Sequence, residues 1–330
     1  MWLLTSILKV EGLHKIYQRK ETWLDRVFRR NNPKLYAVND VSLEVKEGET
    51  LGLVGESGCG KTTLCRTLMR LYEPTDGTIS FLGHDITHES PGKLRHLYKD
   101  MQMVFQDPYS SLNPKMTVKE MLSEAIRFHG ICTSEKETDE YIDYLLVKVG
   151  LLPSDANKYP KAFSGGQRQR IAIARAIAVK PKLLIADEPV SALDVSVQAQ
   201  ILNLLEDLQN ELQLTMIFIS HDLSVVKYIS DRVAVMYLGR IVEIGRTEEV
   251  FEQPAHPYTQ ALLSAVPRIQ PGTKQERTPL EGDPPNPFES KEGCHFYARC
   301  SQRMEKCRSV TPDAYPLSAT HQSRCHLAIE

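Results

Sequence analysis

Gly55-Glu56-Ser57-Gly58-Cys59-Gly60-Lys61-Thr62 follows a stretch at 49–54 that reads as a buried strand and opens onto a helical pattern over 62–71. The stretch fits Gly-x-x-x-x-Gly-Lys-Ser/Thr, and each residue type in it has its own physical reason. Glycines at Gly55, Gly58 and Gly60 let backbone N–H groups turn inward and reach phosphate oxygens with no side chain in the way. Lys61 brings positive charge to the outer phosphates, and the hydroxyl of Thr62 suits magnesium. The helix that starts there adds unpaired N–H groups and the positive end of its dipole. Ser57, Cys59 and Thr63 complete the expected phosphate contacts. The bland alternative is a flexible glycine turn, and the setting between a strand and a helix weighs against it.

Outward from this loop, 183–186 and 215–220 read as short buried strands. Between them Val197, Ile201, Leu204, Leu205, Leu208 and Leu212 recur at helical spacing. Strand, helix and strand over about thirty residues make a parallel crossover unit, so the fold class is α/β. Runs at 233–237 and 241–244 flank Leu-Gly-Arg and predict a hairpin added at a sheet edge. The stretch from about 112 to 160 has no strand pattern and reads as mostly helical. Asp187 and Glu188 close the strand at 183–186, where Asp187 would enter a magnesium shell and Glu188 would orient or deprotonate a water. His221 lies just past the strand at 215–220. Ligands bind at such strand ends in a parallel sheet, which predicts a γ-phosphate contact for His221.

Composition narrows the class. The 330 residues include 42% hydrophobic and 25% charged, a globular balance. Forty basic residues against forty-two acidic leave a net charge of −2, which argues against a chain dedicated to nucleic acid. No apolar run approaches the roughly 20 residues of a spanning helix. The first ten residues lack a basic region and a small-residue cleavage site, so a cytosolic protein is expected, one that serves a membrane only from its surface. Pro271, Pro279, Pro284, Pro285 and Pro287 make 270–293 an extended connection.

Phe163-Ser164-Gly165-Gly166-Gln167-Arg168-Gln169-Arg170 precedes a helical run, with Ser164 and Gln167 at capping-box spacing. Together with the phosphate loop and Asp187-Glu188 it closely resembles the signature of the ATP-binding cassette (ABC) ATPases. The resemblance implies a P-loop NTPase fold of ABC type with an antiparallel β subdomain and a helical subdomain. It implies a head-to-tail dimer in which Ser164, Gly165, Gly166 and Gln167 contact the γ-phosphate of ATP held by the partner's loop. Gln106, in Val104-Phe105-Gln106-Asp107, matches the loop that senses magnesium and faces the transmembrane partner. Asp194 matches the loop that crosses the dimer interface, and Tyr17 matches the aromatic that stacks on adenine. For Tyr17 the competing reading is ordinary packing near a strand end.

Asp107-Pro108-Tyr109-Ser110-Ser111-Leu112-Asn113-Pro114 and His256-Pro257-Tyr258-Thr259-Gln260-Ala261-Leu262-Leu263 resemble the oligopeptide/dipeptide (and nickel) importer subfamily. That resemblance implies a peripheral subunit on the cytoplasmic face of the membrane. Its expected partners are a paralogous cassette ATPase, two transmembrane permeases and an extracytoplasmic solute-binding protein. The expected division is an ATPase domain at 1–250, with its helical subdomain at about 107–165, an extension and Pro-rich linker at 251–293, and a four-cysteine tail at 294–330. The segment 19–34 is longer and more basic than a minimal cassette needs. Its Trp23, Leu24, Val27 and Phe28 share a helical face that is either packed or set against a membrane surface.

Competing functions are a nickel or other small-solute importer ATPase, a soluble ABC ATPase acting on DNA or ribosomes, and an exporter component. Only 101 residues separate Thr62 from Ser164, too few for the coiled-coil arm of the chromosome-associated relatives. The chain holds one cassette and no membrane segment. Cys294, Cys300, Cys307 and Cys325 crowd into the last 37 residues. Their spacings are poor for structural zinc, and four thiolates are the ligand set of an iron–sulfur cluster. The subfamily tail resembles one that carries a 4Fe–4S cluster, which ranks first, ahead of zinc and free thiols, with a structural role as a staple. Cys59, at a helix start beside Lys61, is read either as a reactive low-pKa thiol or as an inert small residue.

Overall fold

Leu183–Asp187 and Thr215–Ile219 are buried along their whole length, the pattern of parallel strands covered on both faces. The computed structural model in which they lie describes residues 6–18, 34–265, 282 and 292–329. Along the chain run β1 (Ser6–Gln18), β2 (Lys34–Lys46), β3 (Thr50–Val54), α1 (Lys61–Leu68), β4 (Asp76–Phe81) and β5 (His84–Asp85). Next come α2 (Pro91–Asp100), β6 (Met101–Val104), α3 (Pro108–Ser111), α4 (Val118–Phe128), α5 (Glu135–Lys148) and α6 (Gly165–Ile177). Then follow β7 (Leu183–Asp187), α7 (Val195–Leu212), β8 (Thr215–Ile219), α8 (Leu223–Ile229), β9 (Arg232–Tyr237) and β10 (Arg240–Arg246). The last elements are α9 (Thr247–Glu252), α10 (Pro257–Ser264), β11 (Tyr315–Pro316) and β12 (Gln322–Ser323). Most of the segment 19–34, including its four apolar residues, and nearly all of the Pro-rich connection lie outside the described residues.

The described residues form two compact units. The first contains Lys46–Thr50 and Glu89–Ser220. Its parallel strands run β6-β7-β8, with Met101 opposite Leu183 and Leu183 opposite Thr215. α7 makes the predicted crossover and buries Ile201, Leu202, Leu204, Leu205 and Leu208. The expected helical stretch is present as α4 and α5 with short 3-10 turns after them. Thr117 starts α4 in a reciprocated capping box with Glu120, and Ser134 starts α5 by accepting from the Glu137 N–H. α6 holds this helical part together. Arg168 Nε donates to the Pro160 carbonyl at 2.7 Å, Arg170 Nη1 to Val149 at 2.7 Å and Arg175 Nη1 to Ser111 at 2.7 Å. Three guanidinium groups on one helix thus satisfy carbonyls of three separate segments.

The second unit contains the described residues of Ser6–Val45, Leu51–His88 and His221–Glu330. One part is an antiparallel sheet of order β2-β1-β4-β5, the expected β subdomain. In the other part β3 runs parallel to β9, with Leu51 opposite Arg232, and β9 pairs antiparallel with β10. The predicted hairpin is therefore present, but its outer strand is not an edge. β12 pairs with β10, placing Gln322 opposite Ile244 and Ser323 opposite Glu243. Two residues of the tail thus cover the backbone groups that β10 would otherwise present to pairing from outside.

Candidate functional site

In the second unit the phosphate loop follows β3 and ends at α1, as the spacing requires. Gly55, Gly58 and Gly60 have φ of 152°, 78° and 109°. At Gly60 a Cβ would stand 2.1 Å from the Ala37 carbonyl oxygen, and at Gly55 2.2 Å from that of Met236. Both positions therefore exclude any side chain, for reasons of conformation and of space. Lys61 is buried, and its ammonium donates to the carbonyls of Gly55 at 2.7 Å and Glu56 at 3.1 Å. Thr62 and Thr63 are half-buried at the first turn of α1. Cys59 is only 5% exposed, and burial pushes its thiol up against the opposing pull of Lys61. Desolvation thus outweighs the helix terminus and the lysine, which runs against the low-pKa reading of Cys59.

Residues far along the chain brace the loop from outside. The Glu56 N–H donates to the Tyr258 hydroxyl at 2.9 Å, so the motif beginning at His256 is built onto the phosphate loop. Tyr258 packs with Tyr237 and Phe296, the three ring centroids 4.6–5.5 Å apart. Behind them Glu243 accepts from the N–H groups of Ala255 at 2.8 Å and His256 at 2.9 Å, and lies 2.7 Å from His321 Nε2. Sequence reasoning missed Glu243. A lone acid inside the apolar strand Ile241-Val242-Glu243-Ile244 is the signal that marks it, because a buried carboxylate requires partners.

His256 starts α10 by accepting the Tyr258 N–H through Nδ1 at 3.0 Å. Burial pushes its pKa from 6.5 down to about 4, with Glu243 partly opposing. The unfolded chain therefore takes up the proton first as pH falls. The stabilising contribution is whole above about 6.5, is lost progressively towards 4, and amounts to about 3 kcal/mol. The melting temperature of the parent is expected to fall between pH 6.5 and 4.5 more steeply than that of His256→Asn, which keeps a capping acceptor and does not titrate. Parallel melting profiles would refute the assignment.

In the first unit β7 ends at Asp187, which is 1% exposed, and Glu188 follows with φ of 47°. A non-glycine residue in the left-handed region is uncommon, and the local bonds show what holds it there. The Glu188 N–H donates to the Ile219 carbonyl at 3.1 Å, and its own carbonyl accepts the Ser191 hydroxyl at 3.1 Å. This turn aims the carboxylate at Gln106, whose Nε2 donates to Oε2 at 2.9 Å. Two residues assigned to one reaction, 82 positions apart, are thus in direct contact.

Ser164 caps α6 in a reciprocated box: the Gln167 N–H donates to Ser164 Oγ at 3.3 Å, and the Ser164 N–H to Gln167 Oε1 at 3.0 Å. A Cβ at Gly166 would lie 2.5 Å from Val197 Cγ1, so glycine there lets α6 start close against α7. Asp194 stands exposed just before α7, and Ser164 and Gln167 are also exposed. Tyr17 in the second unit is 38% exposed and meets Tyr72 edge-on at 6.2 Å. His221 is exposed ahead of α8.

The four tail cysteines are free thiols. The Cys294 N–H donates to the Cys307 carbonyl at 2.8 Å. Burial pushes the Cys294 thiol up to about 11, and Cys307, Cys325 and Cys300 add to the push. They therefore share a region, yet among the described residues no three or more His, Cys, Asp or Glu are arranged to hold a metal ion. The expected 4Fe–4S cluster finds no support in this geometry, and zinc meets the same obstacle. A staple of another kind does the holding. Phe296 is buried against Tyr237 and Tyr258, Arg324 Nη1 pairs with Asp40 at 2.8 Å, and Arg299 pairs with Glu56.

A phosphate loop with buried lysine, a strand ending in two carboxylates and a capped glycine-rich helix start define a cassette-type ATP-binding protein. A family model described as "ABC transporter" matches residues 38–191, and one described as "Oligopeptide/dipeptide transporter, C-terminal region" matches 242–307. An oligopeptide transport ATP-binding protein, AppF, of Bacillus subtilis is 51% identical over 91% of this chain and 92% of that protein. A probable peptide ABC transporter ATP-binding protein, y4tS, of Sinorhizobium fredii is 50% identical over 98% of this chain and 90% of its own length. Among solved structures, the ABC transporter cassette MJ0796 bound to ADP and Pi superposes with a TM-score of 0.64 and 28% identity. It covers 73% of this chain and 98% of its own. The chain belongs to the ABC transporter ATP-binding family, in its oligopeptide/dipeptide branch. Among the described residues no helix is long and apolar enough to cross a membrane.

Proposed function

We propose that this chain is the ATP-hydrolysing subunit of an importer that takes up oligopeptides or dipeptides. The observation that carries the reading is that the importer-branch motif is built onto the phosphate loop: Tyr258 binds the backbone of Glu56. The close relatives, matched over some nine-tenths of both chains and described as peptide transport proteins, support the same substrate class.

ATP phosphates are held by the backbone N–H groups of the loop, including those of Ser57, Gly58, Cys59 and Gly60, and by Thr63. Lys61 leaves the Gly55 and Glu56 carbonyls to reach them. Thr62, Gln106 and Asp187 offer only oxygen donors, the set a hard cation such as magnesium takes. Bound there, magnesium neutralises charge on the outer phosphates. Glu188 orients the attacking water and takes its proton, while His221 contacts the γ-phosphate. Ser164, Gly165, Gly166 and Gln167 serve the nucleotide on the partner's loop, Asp194 crosses the interface, and Tyr17 stacks on adenine. The chain is organised as an ATPase domain at 1–250, an extension and linker at 251–293 and a tail at 294–330. It works on the cytoplasmic face of the membrane with a paralogous cassette, two permeases and an extracytoplasmic binding protein.

Purification of the tagged chain from its host's membranes in mild detergent tests this. Two multispanning proteins and a second cassette are expected to accompany it. Recovery free of membrane proteins, alone or with ribosomes or DNA, would overturn the transport reading while leaving the ATPase chemistry standing. Uptake of nickel in place of peptides by the recovered complex would overturn the substrate class alone.

A further inference from the structure

Glu56, the second residue of the phosphate loop, places a carboxylate beside a site built for a polyanion. Arg299, in the 3-10 turn Tyr297–Arg299, meets it in a two-pronged pair: Nη1 to Oε2 at 2.6 Å and Nη2 to Oε1 at 3.0 Å. The arginine side chain is 5% exposed and that of the glutamate 26%. The guanidinium is seated on the buried aromatic wall, 5.9 Å from the Tyr237 ring centroid. The backbone of Glu56 is fixed as well. Its N–H binds Tyr258, and its carbonyl accepts from Lys61 at 3.1 Å and from the Cys59 N–H at 3.2 Å. The carboxylate thus belongs to a residue whose carbonyl also holds Lys61.

A half-buried carboxylate with no counter-charge, in this loop, would repel the phosphates of ATP with little screening by water. A planar guanidinium pairing with both oxygens removes that repulsion and fixes the direction of the side chain. We propose that Arg299 is a positioning residue for ATP binding, neutralising Glu56 and setting the second residue of the phosphate loop. The proposal rests on the reading of this loop as an ATP site.

The test is calorimetric titration of the full chain with ATP and magnesium. Arg299→Gln is expected to raise the dissociation constant about tenfold, the effect of one unpaired like charge at this range. The double variant Arg299→Gln with Glu56→Gln is expected to return it to within about threefold of the parent, because the stranded carboxylate is gone. Arg324→Gln removes a different anchor of the same tail and is expected to shift affinity less than about twofold. If Arg299→Gln melts too low to titrate, Arg299→Met, which keeps an unbranched side chain on the aromatic wall without the charge, replaces it in the same cycle. A single variant that binds like the parent, or a double variant as weak as the single, would reduce Arg299 to a structural strut. Equal loss in Arg324→Gln would do the same. Failure of the parent itself to bind ATP would instead refute the ATPase reading, and this inference with it.

Discussion

Glu188→Gln is expected to bind ATP within about twofold of the parent while its turnover drops by two to three orders of magnitude, the contribution typical of a positioned general base. The substitution keeps size, shape and a carbonyl oxygen able to accept the Gln106 amide, which donates to Glu188 at 2.9 Å. It also leaves the backbone bonds that hold residue 188 at φ of 47°. What disappears is the negative charge and the capacity to take a proton from water. Equilibrium binding and phosphate release, measured in a complex whose partner cassette is inactive, separate the two effects. Normal phosphate release there would remove Glu188 from the chemistry.

Lys61→Ala is expected to weaken ATP binding by about two orders of magnitude, since it deletes the charge-assisted contact to the outer phosphates. The same side chain bridges the Gly55 and Glu56 carbonyls, so its removal also loosens the loop. That second effect is worth about 1 kcal/mol per lost hydrogen bond and shows in the melting temperature. A large loss of affinity with a small loss of melting temperature identifies the phosphate contact. Unchanged affinity would mean that the backbone N–H groups alone carry the phosphates.

The parts of the fold legible in advance are those set by neighbours in sequence. β3, the glycine loop and α1 stand where the motif places them, because glycine conformation and strand-to-helix spacing are local properties. The capping box of Ser164 and Gln167 formed as its three-residue spacing dictates. α7 was visible from its apolar period and the β9–β10 hairpin from two runs around Leu238-Gly239. What covers β10 was not visible, since a two-residue strand such as β12 carries no periodicity. The burial that opposes a low pKa at Cys59 was not visible either, because helix position and a nearby lysine can be seen in sequence, whereas desolvation cannot.

By itself the sequence determined a nucleotide-binding α/β protein with its phosphate loop, its terminal carboxylates Asp187 and Glu188 and its signature helix, because each rests on bonds spanning a few residues. Tertiary structure alone decided that Gln106 touches Glu188, that Tyr258 and Arg299 brace Glu56 from 202 and 243 residues away, and that the tail is held by rings and ion pairs. Burial and charge pairing depend on which distant groups arrive at a point, and no spacing along the chain encodes that arrival.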